Sequence, residues 1–237
     1  MANEDSPFHN LEIEDNPVIE VSTQEQTLAQ DLEQHMQHWN ALPKDAPEVD
    51  RARLRLDIAE CHLGLDHKME AHDWARPTVE TLVENEEWAL AVDACDIVYN
   101  CEQDDALIAL GNGIWLAVTF PIEPTVTVQM LHHIVDETPD DSDGAAVAAM
   151  LAHFIADARA EGKEHENLTF LTTQIIAQVA RRQRGIEDED TIKTWIAMYE
   201  LDQVDKLLQK MALILDTITG GEWWYDRDAI RERLPVN

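Results

Sequence analysis

Positive charge is what this chain has least of. Its 237 residues carry 17 Lys and Arg against 48 Asp and Glu, a formal net charge of −31. A field of that sign repels nucleic acid, phosphate-rich substrates and anionic membrane surfaces, and it draws basic partners in. Lysine is the scarcer cation, six against eleven Arg. Two readings of the acid excess stay open: a specific basic partner, or an acid-coated surface suited to high salt or general solubility.

The other shortages narrow the class. Three cysteines (Cys61, Cys95 and Cys101) make an odd set without dense spacing, which excludes a disulfide framework and leaves buried, reduced thiols. The gap between Cys95 and Cys101 fits neither a CxxC redox pair nor a zinc knuckle. The longest apolar stretches, such as Ile114–Pro121, are too short to cross a bilayer. Met1–Gln24 holds six carboxylates and no Lys or Arg, unlike a signal peptide, so a cytoplasmic location is expected. Glycine and proline are few, and no period-two alternation extends beyond Thr125–Val128. His-Glu-x-x-His, GxxxxGK[ST] and GxSxG are all missing. Gly111-Asn112-Gly113 lacks the preceding strand and third glycine of a dinucleotide site. No enzyme and no cofactor are expected.

What is present is helical periodicity in a chain that is 45% apolar, ordinary for a folded protein. Residues 1–22 read as a flexible acidic arm. Ser22 and Glu25 form a capping box, followed by Leu28, Leu32, Met36 and Trp39 on one face. Pro43 and Pro47 separate that helix from the next, which carries Leu54, Ile58 and Cys61 and stops at Gly64. Helices follow at about 67–84, with a kink at Arg76-Pro77, and at 86–100, 105–119 and 125–136. The acidic run 138–144 reads as a linker between a helical part at 23–137 and another at 145–219. The second part begins with a helix carrying Val147, Leu151, Phe154 and Ile155, closed by Gly162. Another helix runs to Gly185. Leu201, Val204, Leu208, Met211, Leu215 and Ile218 then form a heptad seam, which serves either the intrachain core or a homodimer. An aromatic tail spans 220–237. The class is all-α: about nine or ten helices in antiparallel hairpins, as an α-solenoid or an irregular bundle.

One hairpin carries a further pattern. Trp88, Ala91, Ala94, Val98 and Tyr99 precede an acidic turn, and Ala106-Leu107-Ile108-Ala109-Leu110-Gly111-Asn112 follows. This resembles the tetratricopeptide (TPR) family, in which an aromatic and spaced alanines lead into a helix containing Leu-Gly-Asn. The likeness covers about residues 50–120, with Leu56–Gly64 a fainter echo; the family's proline is missing at 102–104. It implies a concave surface that captures a peptide or partner helix. An ordinary helical hairpin with a small-residue interface fits the same residues.

Candidate chemistry is sparse. Cys61, His62, His67, Glu70 and His72 are the densest ligand-type cluster, and a metal there requires the turn at Gly64–Asp66 to gather them. His35 and His38 supply only half a site, and His132 and His133 diverge on a helix. Glu222-Trp223-Trp224-Tyr225 places three aromatics after a double glycine; they either fold back on the last helices or dock on a partner. The expectation is a binding adaptor or assembly chaperone that holds a basic or amphipathic protein segment, with Trp88, Tyr99, Trp115, Trp223, Trp224 and Tyr225 as contacts. Neither nucleic acid nor membrane is an expected partner. Two alternatives belong to other classes: an acidic DNA mimic that blocks a nucleic-acid-binding protein, and a helical metal or cofactor handler at Cys61/His62/His67/His72.

Overall fold

The computed structural model describes residues 17–140 and 142–234, and only the backbone of residues 17–22. Among the described residues every regular element is helical. The order is α1 (Pro17–Ala41), α2 (Glu48–Gly64), α3 (Lys68–Ala75), a 3₁₀ turn (Arg76–Thr78), α4 (Val79–Glu84), α5 (Trp88–Asn100) and α6 (Ala106–Thr119). Then come α7 (Pro124–Glu137), α8 (Gly144–Arg159), α9 (Gly162–Arg184), α10 (Glu189–Met198), α11 (Val204–Ile218) and α12 (Arg227–Glu232).

Local chemistry explains most boundaries. Pro47 precedes the first residue of α2, Pro124 opens α7, and Pro77 turns α3 into a 3₁₀ step before α4. Gly185, at φ 63°, ends α9, and the Asp188 carboxylate accepts from the Thr191 N–H at 2.9 Å to start α10. Four helix connections place an acid where glycine is usual: Asp66, Glu86, Glu102 and Glu200 have φ between 55° and 60°. At Glu86 the chain closes with Glu86 N–H to Val83 O and Glu87 N–H to Leu82 O, at 3.1 and 2.9 Å, the paired bonds of a Schellman turn. Three of these acids also pair with cations, Glu86 with Arg233 and Glu102 with Lys68 across the structure, and Glu200 with Lys206 nearby in sequence.

The packing joins neighbours in sequence: α1 with α2, α2 with α3, α5 with α6, α7 with α8, and α8 with α9. Helix α6 sits centrally, with Ala109 to Ala117 buried without a break. Its glycines set how near its neighbours come. A Cβ on Gly113 would lie 2.8 Å from the Cβ of Cys95 on α5, and one on Gly111 would lie 2.3 Å from Thr219 Cγ2. Helix α11 crosses back onto both α6 and α8. One contiguous apolar cluster therefore runs from Ala52 to Ile230.

Several expectations change. The Ser22 capping box does not start a helix, because α1 already runs from Pro17; the rest of the proposed arm, residues 1–16, lies outside the described residues. The run 138–144 is a connection between two helices packed on each other and sharing one core. Gly162 opens α9 instead of closing α8, whose last turn ends at Arg159 and Ala160. In α11 the buried positions are Leu207, Met211 and Leu215, while Leu208 is exposed and Leu201 precedes the helix. That stripe belongs to the core of the same chain. No helix among the described residues is long and apolar enough to cross a membrane.

Candidate functional site

Helices α2, α5 and α7 contribute one polar face. Asp57 and Glu60 stand three apart on α2, and Asp93, Asp96 and Asn100 follow the same helical spacing on α5. Gln129, His133 and Glu137 do so on α7. Contacts stitch the face together. Asp96 accepts from Gln129 Nε2 at 3.4 Å and meets His133 Nε2 at 3.1 Å. The Tyr99 hydroxyl donates to Glu137 Oε1 at 2.9 Å, and its ring lies 4.6 Å from the His133 ring. Asn100 Nδ2 donates to the Asp96 carbonyl at 2.7 Å.

Beside these groups a cavity of about 390 Å³ opens between the α5–α6 turn and α7. Its apolar lining is Tyr99, Ala106 and Leu107, and Glu102 and Glu137 supply carboxylates. Leu107 is a large side chain left partly in solvent. An apolar patch rimmed by acids suits the stem and head of a lysine or arginine.

Further along the same helices, on α2 and the first half of α5, stand two more carboxylates, Glu60 and Asp93. Among the described residues neither accepts a side-chain hydrogen bond or forms an ion pair. Burial, then Glu60, then Asp96 push the Asp93 carboxyl up to about 6. Burial and Asp57 likewise raise Glu60, with His35 opposing. The chain thus holds anions close together across α2 and α5 at a cost to its own stability.

The aromatic tail is used within the chain. Asn112, fully buried on α6, accepts the Trp224 backbone N–H on its side-chain oxygen at 3.1 Å, and its carbonyl accepts the Tyr225 hydroxyl at 2.6 Å. Arg76 lies 3.6 Å from the centre of the Trp224 ring, Arg227 lies 3.5 Å from that of Trp223, and the Trp115 and Tyr225 ring centres are 5.6 Å apart. Trp88 stacks on Phe120 at 3.8 Å. Of the six aromatics singled out in the sequence, Tyr99 is the one that lines the acid-rimmed cavity.

The histidine–cysteine cluster disperses. The turn after Gly64 does bring His62 and His67 to 3.4 Å, but Cys61 is buried in the core and His72 bonds Asp105 at 2.9 Å. Among the described residues no group of three His, Cys, Asp or Glu side chains converges as a metal site. Burial raises all three thiols, Cys101 to about 11, so they are protonated near neutrality.

The sequence reading passed over Glu60, Asp93, Asp96, His133 and Glu137 as site residues. The available signal was the i,i+3 repetition of acids on two helices, which a chain rich in carboxylates hides. Comparison with known proteins yields no match: no family model, curated protein or solved structure resembles the chain closely enough to count.

Proposed function

We propose that this protein is a non-enzymatic binding module, an adaptor or assembly chaperone. It holds a basic or amphipathic protein segment on the α2–α5–α7 face. The single observation that carries the reading is the cavity of about 390 Å³ in which Tyr99, Ala106 and Leu107 are rimmed by Glu102 and Glu137, and the raised Asp93 carboxyl on the same helix as Tyr99 supports it. A lysine or arginine from a partner offsets these carboxylates, while Tyr99, Ala106 and Leu107 receive an apolar side chain. Stacked helical hairpins of the TPR type use such faces in the same way, and the Leu-Gly-Asn helix supports that likeness.

The same face argues against an acidic mimic of DNA. Asp96 is engaged by Gln129 and His133, and Glu137 by Tyr99, so rings and donors interrupt the anions.

The test maps a labelled amphipathic peptide of alternating Lys and Leu clusters onto the full chain by backbone NMR shifts. Shifts concentrated on α2, on α5, on α7 and on the turn between α5 and α6 are expected. Shifts confined to α9–α12, or spread evenly over the acidic surface, contradict the proposal.

A further inference from the structure

Helix α9 has an outer face that no described part of the chain covers. Leu168, Thr172, Ile175, Ile176 and Val179 are buried, while Phe170 is 68% exposed and Leu171 48%. Across the hairpin, His153 Nδ1 meets Thr172 Oγ1 at 2.8 Å and His165 Nε2 meets Asp157 Oδ1 at 3.0 Å. That register sets Phe154, 38% exposed, level with Leu171.

Asn167–Ala180 contains no charged residue in a chain that is 27% charged. Uncharged stretches in α6 and α8 are buried nearly all round, so they need no partner. The face of α9 is different: Asn167, Phe170, Leu171, Gln174 and Gln178 are neutral and in water. Depletion of charge around exposed aromatics marks the centre of an interface.

The charges at its two ends identify the occupant. Glu161, Lys163, Glu164 and Glu166 at the start sum to −2. At the other end Arg182 is held by the Val135 carbonyl and Arg184 by Asp143, but Arg181 is 66% exposed, with only a 4.0 Å contact to Glu187. A helix that is acidic at one end, basic at the other and neutral between is complementary to itself when turned end for end. Glu166 and Arg181 are fifteen residues apart, about 22 Å along the axis. Elsewhere two copies at −31 each meet mostly carboxylate against carboxylate.

We propose that two copies of this chain associate through α9, packed antiparallel. Phe170 and Leu171 lie at the centre, and Arg181 of each copy sits beside Glu166 of the other. The two-fold axis passes between positions 173 and 174. This inference does not depend on the binding face, and salt separates the two. Screening strengthens association of like-charged copies but weakens capture of a basic segment.

Sedimentation equilibrium of the full chain at moderate salt tests it. A mass of twice 27.0 kDa is expected. The double variant Phe170→Asp/Leu171→Asp, both positions being exposed, should run as a monomer with unchanged helix content and a melting temperature that no longer rises with protein concentration. Arg181→Glu should weaken association about tenfold or more, and adding Glu166→Arg should restore it. A wild-type monomer at every concentration overturns the proposal. So does a dimer that survives the double variant, and so does a charge swap that fails to rescue.

Discussion

Replacing Asp93 with Asn keeps the shape of the side chain and deletes a charge that burial, and after it Glu60 and Asp96, disfavour. Its carboxyl sits at about 6 against an ordinary 3.8. At 1.36 kcal/mol per unit the ceiling is about 3 kcal/mol, and partial exposure reduces the expected effect to about 1–2 kcal/mol. The direction follows from linkage. Between the unfolded value near 3.8 and the folded value near 6, the folded chain holds a proton that the unfolded chain has released. Wild-type stability therefore falls as pH rises through that window, and the penalty is complete above it. Asp93→Asn should be the more stable protein at neutral and mildly alkaline pH, with the gain shrinking to nothing near pH ~4. Urea unfolding of both proteins across that range measures it. A gain independent of pH, or an Asn variant less stable than wild type above neutrality, refutes the account of a buried carboxylate raised by its surroundings. Glu60→Gln made in the same background should add less than it gives alone, since both changes relieve one repulsion.

Further outcomes follow from the packing. Gly113→Ala brings a Cβ to 2.8 Å from Cys95 Cβ, which cannot yield as the Met130 methyl can, so thermal melts should show a loss of about 1–3 kcal/mol. Tyr225→Phe removes the 2.6 Å bond to the Asn112 carbonyl and should cost about 1–2 kcal/mol in denaturant unfolding. Unchanged stability would mean that the tail is not part of the fold. Glu86→Gly relaxes a φ of 60° and should stabilise by about 0.5–1 kcal/mol in the same assay, despite losing the exposed contact to Arg233.

Periodicity made the helices legible because α2, α5 and α6 carry apolar residues at 3.6 spacing, and α2 is bounded by Pro47 and Gly64. Where the turn residue was an acid, as at Glu200, the sequence offered no clear stop signal, and backbone hydrogen bonding reveals the turn. Ser22 looked like a cap because its side chain is suitable, yet α1 extends past it to Pro17. In the α11 seam Met211 and Leu215 are buried as expected, but Leu207 takes the place of Leu208, since the spacing admits both and only packing against α8 and α6 chooses between them. The aromatic tail was recognisable as significant, but its acceptor, Asn112, lies 112 residues away from Trp224. The acidic face was the least legible part. Asp93 differs from other aspartates only through neighbours on α2, and one sequence does not reveal that adjacency.

The most direct measurement compares two equal changes of charge. Asp57→Asn/Glu60→Gln/Asp93→Asn neutralises the proposed face, while Asp202→Asn/Asp205→Asn/Glu222→Gln neutralises three exposed acids elsewhere. Each takes the net charge from −31 to −28, that is −31 plus three. Affinity for the same Lys/Leu amphipathic peptide, read by fluorescence anisotropy, should fall about tenfold or more for the first variant and less than about twofold for the second. Equal losses in the two would mean that the overall field, and not this face, holds the segment.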